Sequence, residues 1–137
     1  MKVLKLACAA MLIAAPAFAA TTSYECTFDR IRKGDWLPKT LFIAHEDGTS
    51  NATVMDPIIH QYNDGQPMRA RVATNNSRRI TFAWRVKAKS RTNQHAQLSY
   101  RATYLRGSSE MTISGLPLGY ENVFSSKGRC TVKPIRK

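Results

Sequence analysis

The sequence predicts an all-β protein, a small antiparallel barrel or sandwich of eight to nine strands. Beyond the first twenty residues, no long stretch has helical periodicity. Short runs rich in β-branched and aromatic residues recur about every ten residues and end at Gly, Asn, Asp or Pro. The longest runs alternate between apolar and polar residues, as in an antiparallel sheet with one buried and one solvated face.

The chain begins with a predicted secretory signal peptide, residues 1–19. A short basic start, Met1 to Lys5, precedes an apolar run from Leu6 to Phe18, and Ala17-Phe18-Ala19 offers a small-x-small cleavage pattern. Residues 20–137 then form one domain, without a second apolar run of the roughly 18 to 20 residues that span a bilayer. We expect an exported, soluble bacterial protein, either periplasmic or secreted.

Removal of the signal peptide leaves two cysteines, Cys26 and Cys130. Two cysteines in an exported chain indicate one structural disulfide, which would join the first strand to the last. Because the strands follow one another as a meander, this link favours closure into a barrel. The cysteines have neither C-x-x-C nor metal-ligand spacing, so we expect no metal and no cofactor.

The predicted strands of the first half end at turn residues. Glu46-Asp47-Gly48-Thr49 supplies a tight hairpin turn. Asp56-Pro57 ends the third predicted strand, and the fourth begins directly after it. These four strands are Tyr24–Asp29, Thr40–His45, Ala52–Met55 and Ile58–Tyr62.

The strands of the second half show the clearest alternation. In Arg79–Lys89 the apolar positions Ile80, Phe82, Trp84, Val86 and Ala88 share one face, while basic residues occupy the other. The remaining predicted strands are Met68–Thr74, Gln97–Arg106, Glu110–Ser114 and Arg129–Val132.

Positive charge is concentrated in the middle of the chain. Without residues 1–19 the protein keeps 19 basic and 9 acidic side chains, a net charge of +10, and residues 65–109 hold ten basic residues and no acidic one. Like charges on neighbouring strands are mildly destabilising, so their accumulation indicates a bound anion or a solvated surface. The guanidinium fork of arginine suits phosphate and carboxylate. The predicted binding residues are Arg69, Arg71, Arg79, Arg85, Lys87 and Arg101.

We therefore expect a non-enzymatic binding protein that presents a basic β face to an anionic envelope partner, such as a phosphate, an acidic polysaccharide or an acidic protein. A small barrel carrying an apolar molecule, as lipocalins and avidins do, is the first alternative, and an envelope inhibitor protein is the second. Export argues against nucleic acid. His45, His60 and His95 have no metal-ligand spacing, and no nucleophile motif accompanies them.

Two resemblances accompany these patterns. Gly34-Asp35-Trp36 resembles the G-x-W near the start of lipocalins, where the tryptophan closes one end of the barrel. Gly34 to Pro38, Asp56 to Ile59, Trp84 and Gly128 to Cys130 together resemble a set of small secreted proteins of α-proteobacteria. No activity is attached to that set, so the second resemblance implies only an envelope location.

Overall fold

The computed structural model describes residues 13–14, 20–32, 34–89 and 93–135. Apart from 13–14, the predicted signal peptide therefore lies outside the described residues. In chain order the elements are β1 (Thr21–Phe28), β2 (Thr40–Glu46), β3 (Asn51–Met55), α1 (Pro57–Tyr62), β4 (Met68–Asn75), β5 (Arg79–Lys89), β6 (His95–Leu105), β7 (Glu110–Pro117) and β8 (Phe124–Ile135). Among the described residues, no helix has the length and apolar character needed to cross a membrane.

The eight strands close into an antiparallel barrel. Each strand pairs with the one before it, and β8 returns to pair with β1. Cys26 lies directly opposite Cys130 in this last pairing, with 4.0 Å between their Cα atoms, and the two form a disulfide. The predicted all-β fold and the predicted link between the first and last strands are both confirmed.

One predicted strand is wrong: residues 58–62 belong to the helix α1. The Asp56 side chain caps this helix by accepting a 2.8 Å hydrogen bond from the backbone N–H of Ile59. Pro57 occupies the first turn, where its missing N–H costs nothing. Asp-Pro therefore starts a helix here, and the apolar run that follows is too short for its periodicity to separate helix from strand.

Aromatic side chains fill the barrel interior in layers. Tyr24 contacts Phe82 and Tyr104 edge to face, with ring centroids 5.4 and 5.2 Å apart. Further along the barrel, Trp84 stacks on Tyr100 at 5.5 Å. All five are buried, so the middle of the barrel is a packed core.

The end of the barrel where β1, β3, β5 and β7 finish is covered by α1 and by the segment between β1 and β2. Ile59 of α1 and Leu37 of the segment are buried in the core. The Tyr100 hydroxyl donates a 2.8 Å hydrogen bond to the carbonyl oxygen of Trp36, which fixes the segment across the opening. We call this the covered end. The other end carries the hairpin turns of β2–β3, β4–β5 and β6–β7.

Candidate anion-binding groove

The six predicted binding residues all lie on the outer surface of the barrel. Each is exposed, and each alternates along its strand with side chains that point inward, as the sequence pattern predicts. These residues are Arg69 and Arg71 on β4, Arg79, Arg85 and Lys87 on β5, and Arg101 on β6.

Four of the six surround an open groove of about 570 Å³ that runs across β4, β5 and β6. Ala83 and Ser99 form part of its floor, and Ser50 and Asn51 border it beside β4. We call the four arginines, Arg69, Arg71, Arg85 and Arg101, the arginine quartet.

Strand register explains why the groove is concave. Arg71 pairs with Ala83, and Ala83 pairs with Arg101, so two arginines flank a single methyl group. Neighbouring strands lie about 4.8 Å apart, which places the two arginine backbones about 10 Å from each other. The small central side chain therefore leaves a space between the two longer ones.

A β-bulge lies next to this row. The pairing between β4 and β5 shifts register between Val72 and Thr74, directly after Arg71. Bulges bend a strand and increase its twist, and thereby redirect the neighbouring side chains. The bulge therefore helps to set the direction in which Arg71 leaves the sheet.

The arginine quartet has no acidic neighbour in the groove. No described Asp or Glu lines it. Within the described ranges the ion pair between Lys127 and Glu110, at 3.9 Å, lies elsewhere, as does the 3.7 Å contact between Nδ1 of His45 and Oδ1 of Asp47. None of the four guanidinium groups makes a side-chain hydrogen bond to another described residue. Their donors are thus available to a ligand.

The other two predicted binding residues do not line the groove. Thr81 and Thr103, whose hydroxyl oxygens lie 2.9 Å apart, fill the outer surface between Arg79 and Ala83. Lys87 stands two positions beyond Arg85 on the same face, opposite Gln97. Both residues extend the basic surface beyond the groove, one towards each end of β5.

No known protein family, curated protein or solved structure matches the chain. Its own residues are therefore the basis for any functional proposal.

The histidines do not assemble a metal site in the described part of the chain, where no three His, Cys, Asp or Glu side chains come together. His45 is buried, and its Nε2 lies 2.9 Å from the carbonyl oxygen of Thr49, so it supports the β2–β3 turn. Asp56 and His60 form no ion pair within 4.0 Å among the described contacts. Asp56 instead caps α1 through Oδ1.

The second carboxylate oxygen of Asp56 is buried without a hydrogen-bond partner among the described residues. Burial raises the pKa of this carboxyl to about 6, although the backbone N–H groups of Ile59 and Ile58 act in the opposite direction. Asp56 is therefore a helix cap whose ionisation is costly.

The sequence predicts the outward positions of the arginines but does not reveal the floor of the groove. Ala83 and Ser99 are the small residues at outward positions of otherwise basic or long-chain strands, and this contrast was visible in the sequence. Ala83 aligns with Arg71 and Arg101, and Ser99 with Arg85, only through the register across three strands, which the alternation alone does not specify.

Proposed function

We propose that the protein is an exported, non-enzymatic binding protein that holds an anionic envelope partner in the groove of the arginine quartet. The observation that carries this proposal is the set of four arginines around a floor of small side chains, with no acidic residue among the described residues of the lining.

The chemistry favours phosphate or carboxylate groups. Guanidinium groups donate two parallel hydrogen bonds to such anions, and the hydroxyl of Ser99 and the amide of Asn51 offer further donors along the groove. A groove that is open along its length suits a chain of repeated charges better than a single ion, because several arginines can then be engaged at once. The preferred ligand is therefore an anionic polymer, and Arg79 and Lys87 would attract it from either side.

Adsorption to two immobilised polymers tests the proposal: polyphosphate for phosphate groups, and polygalacturonate for carboxylate groups. The test variant combines Arg71→Ser, Arg85→Ser and Arg101→Ser. Each exposed charged contact contributes about 0.5 to 1 kcal/mol, so we expect the triple variant to bind about 10- to 100-fold more weakly. Binding of the unaltered protein should also weaken steeply as salt rises.

A matched control removes the same charge elsewhere on the surface. Arg32, Arg78 and Arg129 are exposed, and their side chains make no hydrogen bond or ion pair with described residues. Their triple replacement by Ser should leave adsorption within about twofold if the groove is the site, whereas non-specific attraction would weaken equally in both variants. Equal losses in the two variants, or retention of binding in the groove variant, would refute the proposal. The thermal midpoint of each variant shows whether the fold is intact.

A further inference from the structure

We propose that the covered end of the barrel holds a second site, which binds a neutral, flat, apolar molecule. A cavity of about 310 Å³ opens at this end, on a different part of the surface from the arginine quartet. This volume falls at the lower limit of small-molecule sites, which range from roughly 300 to 1,000 Å³.

The cavity arises from a taper in the inward-facing side chains of β5 and β6. Successive cross-strand pairs towards the covered end are Trp84 with Tyr100, Val86 with Leu98, and Ala88 with Ala96. Side-chain volume thus falls at each step, and the last pair carries only two methyl groups. The cavity lies beside Leu98, Ala88 and Ala96, where these smaller side chains leave space next to the packed core.

The walls of this cavity are apolar and partly aromatic. Trp36 contributes from the segment that covers the end, and Phe124 contributes from the start of β8. Pro117 and Leu98, both buried, complete the apolar surface. Two aromatic rings beside aliphatic groups favour a planar ligand, because such a ligand can stack on one ring while it buries its other face.

The polar groups of the lining indicate a ligand without formal charge. Gln94, His95 and Asn122 are exposed and lie with Tyr120 among the lining residues, and no Lys, Arg, Asp or Glu among the described residues lines the cavity. The amide of Asn122 or the imidazole of His95 can satisfy one hydroxyl, carbonyl or amine of the ligand. The expected ligand therefore has an apolar ring system and one polar substituent.

Exposed apolar side chains flank the opening of the cavity. Leu118, Tyr120 and Val123, between β7 and β8, are 39%, 68% and 63% exposed. An apolar patch with a polar rim is typical of ligand-binding grooves. Tyr120 both lines the cavity and reaches solvent, so a bound molecule would cover part of this exposed surface.

Fluorescence of phenylnaphthylamine, a neutral apolar dye, tests the site. The dye should bind the unaltered protein, and raising the salt concentration should leave its affinity within about twofold because it has no charge to screen. Ala96→Phe would place a ring in the cavity and weaken dye binding about 10-fold or more, because the ring occupies the space of several buried dye atoms. Absence of dye binding to the unaltered protein would overturn the proposal.

Ala44→Phe is the matched control. Ala44 is a half-buried alanine at an outward position of β2, and it lines neither the cavity nor the groove. Ala44→Phe and the triple arginine variant should both keep their affinity for the dye, so the two proposed sites can fail independently. Equal dye affinity in Ala96→Phe and Ala44→Phe would overturn the assignment.

Nuclear magnetic resonance locates the dye without any substitution, which keeps the proposal testable even if Ala96→Phe does not fold. Titration should shift the backbone amide signals of Ala88, Ala96 and Leu98. Shifts confined to β4 or to the arginine quartet would refute a site at the covered end.

Discussion

Replacement of Asp56 by Asn should stabilise the protein at neutral pH and remove part of its pH dependence. The buried carboxyl has a pKa of about 6 in the folded chain, against an ordinary value of 3.8. The folded state therefore binds the proton more tightly than the unfolded state, and stability from this group falls as pH rises from about 4 to about 6. The two pKa values correspond to about 3 kcal/mol of stability lost by pH 7.

Asn keeps the oxygen that accepts the hydrogen bond from Ile59, and it is as good a helix cap as Asp. Urea unfolding from pH 4 to pH 8 measures the difference in unfolding free energy between Asp56→Asn and the unaltered protein. We expect a difference close to zero near pH 4 and about 3 kcal/mol in favour of the variant at pH 8. Asp29→Asn, at an exposed carboxyl, controls for the change in net charge. A difference that stays constant across this pH range would refute the reasoning.

Two further predictions concern the junction of β1 and β8. Replacing both Cys26 and Cys130 by Ala should lower the unfolding free energy, measured in urea, by about 4 to 5 kcal/mol, because the disulfide closes a loop with a sequence separation of 104 residues. A loss below about 1 kcal/mol would contradict this account. The Cβ added by Gly128→Ala would clash with the carbonyl oxygen of Thr27, so this variant should lose about 3 kcal/mol or more of unfolding free energy. Gly107→Ala is the control: its Cβ meets open space, so the unfolding free energy should change by less than about 0.5 kcal/mol. Similar thermal midpoints for the two glycine variants would show that the backbone at β1–β8 adjusts.

The fold could be predicted because its signals are local. Alternation along β5 and β6 distinguishes inward from outward residues without knowledge of the partner strands. The positions of Cys26 and Cys130, in the first and last predicted strands, predict that a disulfide joins these strands. The helix α1, Pro57–Tyr62, was missed because six residues give less than two turns of pattern, although Asp56-Pro57 is an N-terminal capping signal.

The groove and the cavity depend on side chains that are distant in sequence. Ala83 becomes the floor of the groove only when Arg71 and Arg101 pair on either side of it, and these two residues are brought together by two separate strand pairings. Burial of the Asp56 carboxyl likewise follows from the packing of α1 against the barrel end, which no local pattern specifies. Strand register and tertiary packing, rather than composition, therefore determine where the groove, the cavity and the buried carboxyl lie.

The pairing of β1 with β8 also constrains how the chain folds. During synthesis β1 emerges first and β8 last, so β1 has β2 on one side but presents unpaired N–H and C=O groups on the other until the C-terminal strand arrives. Contacts between such distant segments are slow to form, and an open strand edge can meanwhile pair with other chains. The same junction that leaves the finished barrel without an edge therefore makes the incomplete chain the form most exposed to aggregation.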